Sequence, residues 1–229
     1  MVDVQTFFLA LLGGILPAVL WLSFWLKEDE HPEPRGLIIL TFFSGMIAVP
    51  LVLPFQKIIY QNFQHSQLIT FILWAFFEEI FKFIAAYVIV FKTKEMDEPI
   101  DSVIYMLTAA LGFVALENAF FLISPLSQGN FIESIITGNL RFMGASLLHI
   151  ISSTTIGIFI ALSFYKKKVM KIEYLAIGMI LAIILHTIFN LLIIDSTNTT
   201  TFTIFAVVWI AVIVLLLFFE KIKKIIPNK

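Results

Sequence analysis

Six side chains in this sequence have the chemistry for catalysis and sit in strongly apolar surroundings. Glu78, Glu79 and Lys82 stand together in WAFFEEIFKF (Trp74 to Phe83). Glu117 follows in GFVALENAF, and His149 and His186 each lie alone in an apolar run. Glu78 and Lys82 are four apart with the acid first, and Glu79 and Lys82 are three apart, so on a helix all three share a face. His186 and Asn190 are also four apart, a spacing at which the amide is expected to hydrogen-bond the imidazole and fix its tautomer. Asn118 stands beside Glu117. Gly144, Ala145, Ser146, Ser152 and Ser153 surround His149 and are small enough for another helix to approach closely.

Taken singly, these residues have bland readings. Glu78 and Lys82 could be a self-neutralising ion pair, and a lone membrane histidine usually serves as an interhelical hydrogen-bonding group. Glu79 resists that account, because two adjacent carboxylates served by one lysine leave excess negative charge. The chain holds no cysteine, no serine–histidine–aspartate order and no pair of in-membrane aspartates. What remains is activation of water. A carboxylate in a low-dielectric site can act as general base, with a neighbouring acid or imidazole donating to the oxyanion and to the leaving amine. Alternatively Glu117, His149 and His186 hold a zinc ion with one open position, and a second glutamate is the base. No His-Glu-x-x-His occurs, and both schemes suit peptide hydrolysis.

The elements that must position these groups are membrane helices. The 229-residue chain is 60% hydrophobic and 14% charged, with mean hydropathy +0.99; soluble domains are nearer half apolar and a quarter charged. Seven runs are long enough to span, at about 5–26, 36–56, 67–91, 100–124, 140–164, 172–194 and 201–220. Period-2 alternation is absent, so the fold class is all-α, a polytopic transmembrane bundle forming a single domain over residues 1–229. The first run follows Met-Val-Asp without a basic segment and reads as a retained span. The loops KEDEHPEPR (Lys27 to Arg35), SPLSQGN (Ser124 to Asn130) and TNTTT (Thr197 to Thr201) read as joints. Of 15 Lys and Arg, 12 fall in alternate joints and the C-terminus. The positive-inside rule then places the N-terminus outside and the C-terminus in the cytoplasm. A net charge of -1 gives no sign of nucleic-acid binding.

Depth links the candidates. With that orientation Glu78 and Glu79 lie about 11–12 residues below the outer surface, Glu117 about 7, His149 about 9 and His186 about 8. All fall roughly 10–18 Å from the outer face. Four helices thus aim ionisable groups at one layer, each at a cost of about 2.5–3.5 kcal/mol if it faced lipid. Independent accidents would scatter.

In order along the chain, Glu78-Glu79-Ile-Phe-Lys82, Gly112-Phe113-x-x-x-Glu117-Asn118, a mid-helix His149 and His186-x-x-x-Asn190 resemble the motif series of the PrsW family of bacterial intramembrane proteases. HPEPR (His31 to Arg35) and Asp101-x-x-x-Tyr105 resemble it too, and the likeness runs from about 27 to 194. The CAAX prenyl endopeptidases are distant relatives, but they carry E-E-x-x-x-R and a histidine where Glu117 stands, so the resemblance favours PrsW over prenyl-protein chemistry. It implies a multi-pass enzyme of the bacterial cytoplasmic membrane. Such an enzyme makes the extracytoplasmic site-1 cut in a single-pass anti-sigma factor. It uses Glu78, Glu79, Glu117, His149 and His186, with Lys82, Asn118 and Asn190 in support. The rival class is a proton-coupled transporter built on the same cluster; no inverted repeat or pair of Gly/Pro-broken helices accompanies it.

Overall fold

A chain in hydrocarbon must pair its own backbone polar groups, and this one does so with helices. The computed structural model describes residues 3–194 and 198–226, and among them there is no strand. Seven helices follow in order: α1 Val4–Trp25, α2 Arg35–Phe63, α3 Gln67–Ile89, α4 Pro99–Ser127, α5 Phe131–Leu162, α6 Lys168–Ile194 and α7 Asn198–Ile222. Part of the expected TNTTT joint, and Lys229, lie outside the described residues. Six helices are long and apolar enough to cross a membrane. The seventh, α3, has 23 residues and so rises about 34 Å, but it carries Glu78, Glu79 and Lys82 in its middle.

Several boundaries differ from the hydropathy reading for local reasons. Helix α2 continues past residue 56 to Phe63, and Pro50 and Pro54 do not end it. Helix α4 absorbs Pro125 and stops at Ser127; Gly129, at φ 70°, makes the turn to α5. Helix α5 starts at Phe131, about two and a half turns before its apolar run, and Asn130 caps it by accepting from the Glu133 N–H at 3.1 Å. The start of α4 is set by sequence chemistry. Glu98 is the N-cap, Pro99 takes the first position, where its missing N–H costs nothing, and Asp101 accepts from the Glu98 N–H at 2.6 Å.

Helix α4 is the axis. It is buried on all sides from Pro99 to Ala115, as expected of a helix apolar all round. Helices α1, α2 and α5 pack on it, α3 bridges α2 and α6, and α7 lies against α5. The α2–α4 crossing is close enough that a Cβ at Gly45 would strike the Ala109 carbonyl, and one at Gly112 the Phe42 carbonyl. That contact sets Phe113 and Glu117 at their depth.

One end of the bundle gathers the α1–α2 joint, the α3–α4 joint and the end of α7. His31 Nδ1 is 2.9 Å from Glu98 Oε1, and Lys223 Nζ is 3.5 Å from Glu28 Oε2. The Tyr105 hydroxyl donates to Glu33 Oε2 at 2.6 Å. Burial, with the Asp101 carboxyl hydrogen-bonded beside it and Asp29 nearby, pushes Glu33 up to about 8 despite the Tyr105 bond. A carboxyl raised in the folded state contributes stability that is complete below its ordinary value of 4.5 and lost as pH rises through about 8. In detergent, the melting temperature of the wild type should therefore fall between about pH 5 and about pH 9. That of Glu33→Gln should fall less and be the higher of the two at the alkaline end. Parallel thermal melts of the two proteins check this; equal slopes would show that Glu33 is not the titrating group.

Candidate active site

Helix α3 delivers three charges to one face, and all are buried: Glu78 is 3% exposed, Glu79 and Lys82 0%. Burial without partners would be prohibitive, so each is answered by a neighbouring helix. Glu79 is hydrogen-bonded at both oxygens. Its Oε1 accepts from Lys82 Nζ at 2.8 Å and from His186 Nδ1 at 2.8 Å, and its Oε2 accepts from the Ser153 hydroxyl at 2.6 Å. One carboxylate thereby ties α3 to α5 and α6.

Lys82 extends the chain of contacts. Its Nζ lies 2.6 Å from His149 Nδ1 and 4.5 Å from the centre of the Phe113 ring. An ammonium has no acceptor, so His149 Nδ1 receives the bond and the ring's proton sits on Nε2, which donates to Glu117 Oε2 at 3.2 Å. On His186 the bond to Glu79 puts the proton on Nδ1 and leaves the Nε2 lone pair free. The two imidazoles meet edge to face, with centres 4.9 Å apart.

Glu78 is different from its neighbour. Oε1 accepts from the Gln56 amide of α2 at 2.8 Å. Oε2 is buried and has no hydrogen-bond partner among the described residues. It lies 3.5 Å from His186 Nε2, 3.8 Å from Lys82 Nζ and 4.0 Å from His149 Nδ1. One ligand atom each from Glu78, His149 and His186 falls within 4.8 Å of the others. This is a donor set of two imidazoles and a carboxylate, the kind that suits zinc.

Toward the other side the cluster opens. The Glu117 and Arg141 side chains are 19% and 16% exposed and are paired with each other. Arg141 also donates from Nε to Asn118 and lies over the Phe121 ring, 3.7 Å from its centre. It begins a π-helical turn, Arg141–Ala145, inside α5. Its guanidinium lies against α4, on Glu117 and Asn118; such turns recur at functional sites.

The structure thus brings together Glu78, Glu79, Lys82, Glu117, His149 and His186, with Asn118 holding Ser146 at 3.3 Å. Two expectations change. Asn190 makes no hydrogen bond to His186 among the described residues, because both ring nitrogens face α3. The carboxylate that joins the histidines as a ligand group is that of Glu78 and not of Glu117, whose charge is taken up by Arg141. Sequence reasoning missed Gln56, Arg141 and the role of Ser153. Gln56 gave a signal, a lone amide within the second span, but nothing local indicates its partner.

Comparison with known proteins agrees with this picture. The family described as "PrsW family intramembrane metalloprotease" matches residues 33–217. The chain is 27% identical over 190 residues to the protein named Protease PrsW of Halalkalibacterium halodurans, covering 80% of this chain and 82% of that one. It is 28% identical over 180 residues to that of Oceanobacillus iheyensis, covering 78% and 80%. For that of Bacillus subtilis the identity is 22% over 189 residues, covering 81% and 83%. No solved structure matches.

Among the described residues Gln56 is the one group that donates to Glu78 Oε1, so Gln56→Leu should leave a buried carboxylate oxygen unpaired, at a cost of about 1–3 kcal/mol. The turnover of a membrane-peptide substrate is expected to fall about tenfold or more, with the affinity for that substrate little changed. Measured kcat and KM on the purified variant check this, and unchanged kcat would remove Gln56 from the site.

Proposed function

This chain belongs to the PrsW family of intramembrane proteases, and we propose that it makes the extracytoplasmic cut in a single-pass membrane protein of the anti-sigma factor kind. It is a membrane-embedded peptidase of a bacterial membrane. Family membership gives the transporter alternative no support. The seven-span reading with the N-terminus outside rests on the basic joints, and the sharing of one end of the bundle by the α1–α2 joint, the α3–α4 joint and the end of α7 favours it. On that reading the cluster lies toward the outer leaflet: His186 is eight residues from the end of α6 at Ile194, on the side away from those joints.

The observation that carries the mechanism is that the buried Oε2 of Glu78 has no hydrogen-bond partner among the described residues. Glu79 already accepts at both oxygens, Oε1 from Lys82 and His186 and Oε2 from Ser153, whereas Glu78 accepts at one. Glu78 is therefore the reactive carboxylate of the pair, and Glu79 positions it by orienting His186. Peptide hydrolysis needs a water deprotonated as it attacks the carbonyl carbon, a donor to the oxyanion, and a proton for the leaving amine. Glu78 Oε2 is placed to take the first proton. The protonated Glu78 then returns that proton to the leaving amine, and at the partly open edge of the cluster the His149 Nε2–H beside Glu117 is the donor for the oxyanion, with Arg141 there as a fixed cation.

The residues also fit a divalent metal, since the orphaned oxygen and the two imidazoles form a compact N,N,O set. Glu78, His149 and His186 would hold it, and a bound zinc ion supplies a Lewis acid that makes a coordinated water acidic. In that case Glu117 is the carboxylate left to accept the proton from water. The two roles of Glu78 Oε2, proton acceptor and ligand, exclude each other.

Purified protein incubated with single-pass substrates should cleave them on the extracytoplasmic side. Glu78→Gln should lower the rate about a hundred- to ten-thousandfold while the protein remains folded. Wild-type cleavage by Glu78→Gln would overturn the assignment. Loss of activity under chelation, restored by zinc, selects the ligand role; insensitivity to chelation selects the proton acceptor.

A further inference from the structure

We infer that Lys82 and a divalent cation compete for one lone pair, that of His149 Nδ1, so that the centre has two mutually exclusive states, lysine-held and metal-held. This rests on the metal-binding reading of Glu78, His149 and His186 given above.

The competition follows from occupancy. An imidazole nitrogen has a single in-plane lone pair, and the Lys82 ammonium already takes it at 2.6 Å. The other ring nitrogen is committed to Glu117 on the far side, 3.2 Å away. His149 Nδ1 is also the nitrogen that faces Glu78 Oε2, at 4.0 Å. A cation bound by Glu78, His149 and His186 thus needs the position that the ammonium holds. The two also repel. Lys82 Nζ is 3.8 Å from Glu78 Oε2, the distance of a charge stationed at the rim of the cation site.

Lys82 has somewhere to stay when displaced. Glu79 Oε1 holds it at 2.8 Å and the Phe113 ring lies 4.5 Å away. Release of His149 therefore does not strand an uncompensated ammonium. In the lysine-held state the same ammonium makes up for an absent cation, which keeps two buried carboxylates compatible with a folded bundle before metal arrives. Lys82 is in this sense a built-in stand-in ion, and it sets the metal affinity as a positioning residue.

The test is zinc binding by the full-length protein in detergent, read by competition with a chromophoric chelator, with the visible spectrum of bound cobalt as a second readout. Lys82→Met should bind zinc about ten- to a hundredfold more tightly than the wild type, the usual span of coupling between antagonistic ligands. Because that variant leaves Glu79 without its ammonium, a second pair is measured as well. Glu79→Gln, which keeps the lysine, should bind more weakly than Glu79→Gln combined with Lys82→Met. His186→Ala gives the background. Tighter binding in the lysine-free member of either pair that folds supports the inference. Equal or weaker binding there, with zinc still bound above the His186→Ala background, overturns it and leaves the metal reading intact. Zinc binding at background in every protein overturns the metal reading and the inference together.

Discussion

The bundle depends on the neutralisation of the buried carboxylate of Glu79. A charge at this depth costs about 2.5–3.5 kcal/mol when it faces lipid, and removing one partner of a buried, paired charge is costlier than replacing the pair. Glu79 meets that constraint by drawing in one donor from each of α3, α5 and α6. The three helices cannot turn about their axes without losing one of those bonds. The directions of His149 and His186 follow, because a ring held at one nitrogen by a fixed partner presents the other to a defined place. The network is therefore both the reason α3 can lie in the bundle and the reason the site has a geometry.

Close backbone packing supplies the rest. Lipid tails are as apolar as leucine, so helices in a membrane associate through tight contact and hydrogen bonds and not through burial from water. At Gly45 and Gly112 the α2 and α4 backbones approach with no room for side chains. That approach puts Phe113 beneath the Lys82 ammonium and in contact range of the His149 ring, 5.7 Å centre to centre. It also brings Gln56 of α2 within reach of Glu78. A larger residue at either glycine would separate the helices and loosen the grip on Glu78, although neither glycine touches it.

Much of this was legible in the sequence because membrane insertion makes charge conspicuous. The seven helices follow from long apolar runs, and the shared depth of Glu78, Glu79, Glu117, His149 and His186 names the helices that converge. Helical spacing says which residues share a face and no more. It paired His186 with Asn190, whereas the ring turns to α3, where two carboxylates outcompete an amide. It left Arg141 as a topological marker, because its partner Glu117 lies 24 residues away on another helix and no spacing within α5 points to it. Gln56 stood out only as a lone amide in its span, because its partner lies 22 residues away on another helix. The ends of α2 and α5 ran past their apolar cores because helix length is set by capping and backbone pairing as well as by hydropathy.

Adjacent residues on one helix end up with opposite duties because about 100° of rotation separates them. Glu79 points into the junction of α3, α5 and α6, where three donors wait and both oxygens are hydrogen-bonded. Glu78 points toward α2, where Gln56 satisfies one oxygen and the other is turned back toward the histidines with nothing to hold it. A buried oxygen without a partner is unfavourable for a folded protein and is retained where something else is to bind. The carboxylate bonded at both oxygens can hold the frame, and the one bonded at a single oxygen can react because its neighbour has already drawn the surrounding donors. Exchanging their roles would fail on both counts: a structural Glu78 would find one donor where Glu79 has three, and a reactive Glu79 would weaken the bonds that keep α3 in place as its charge was neutralised.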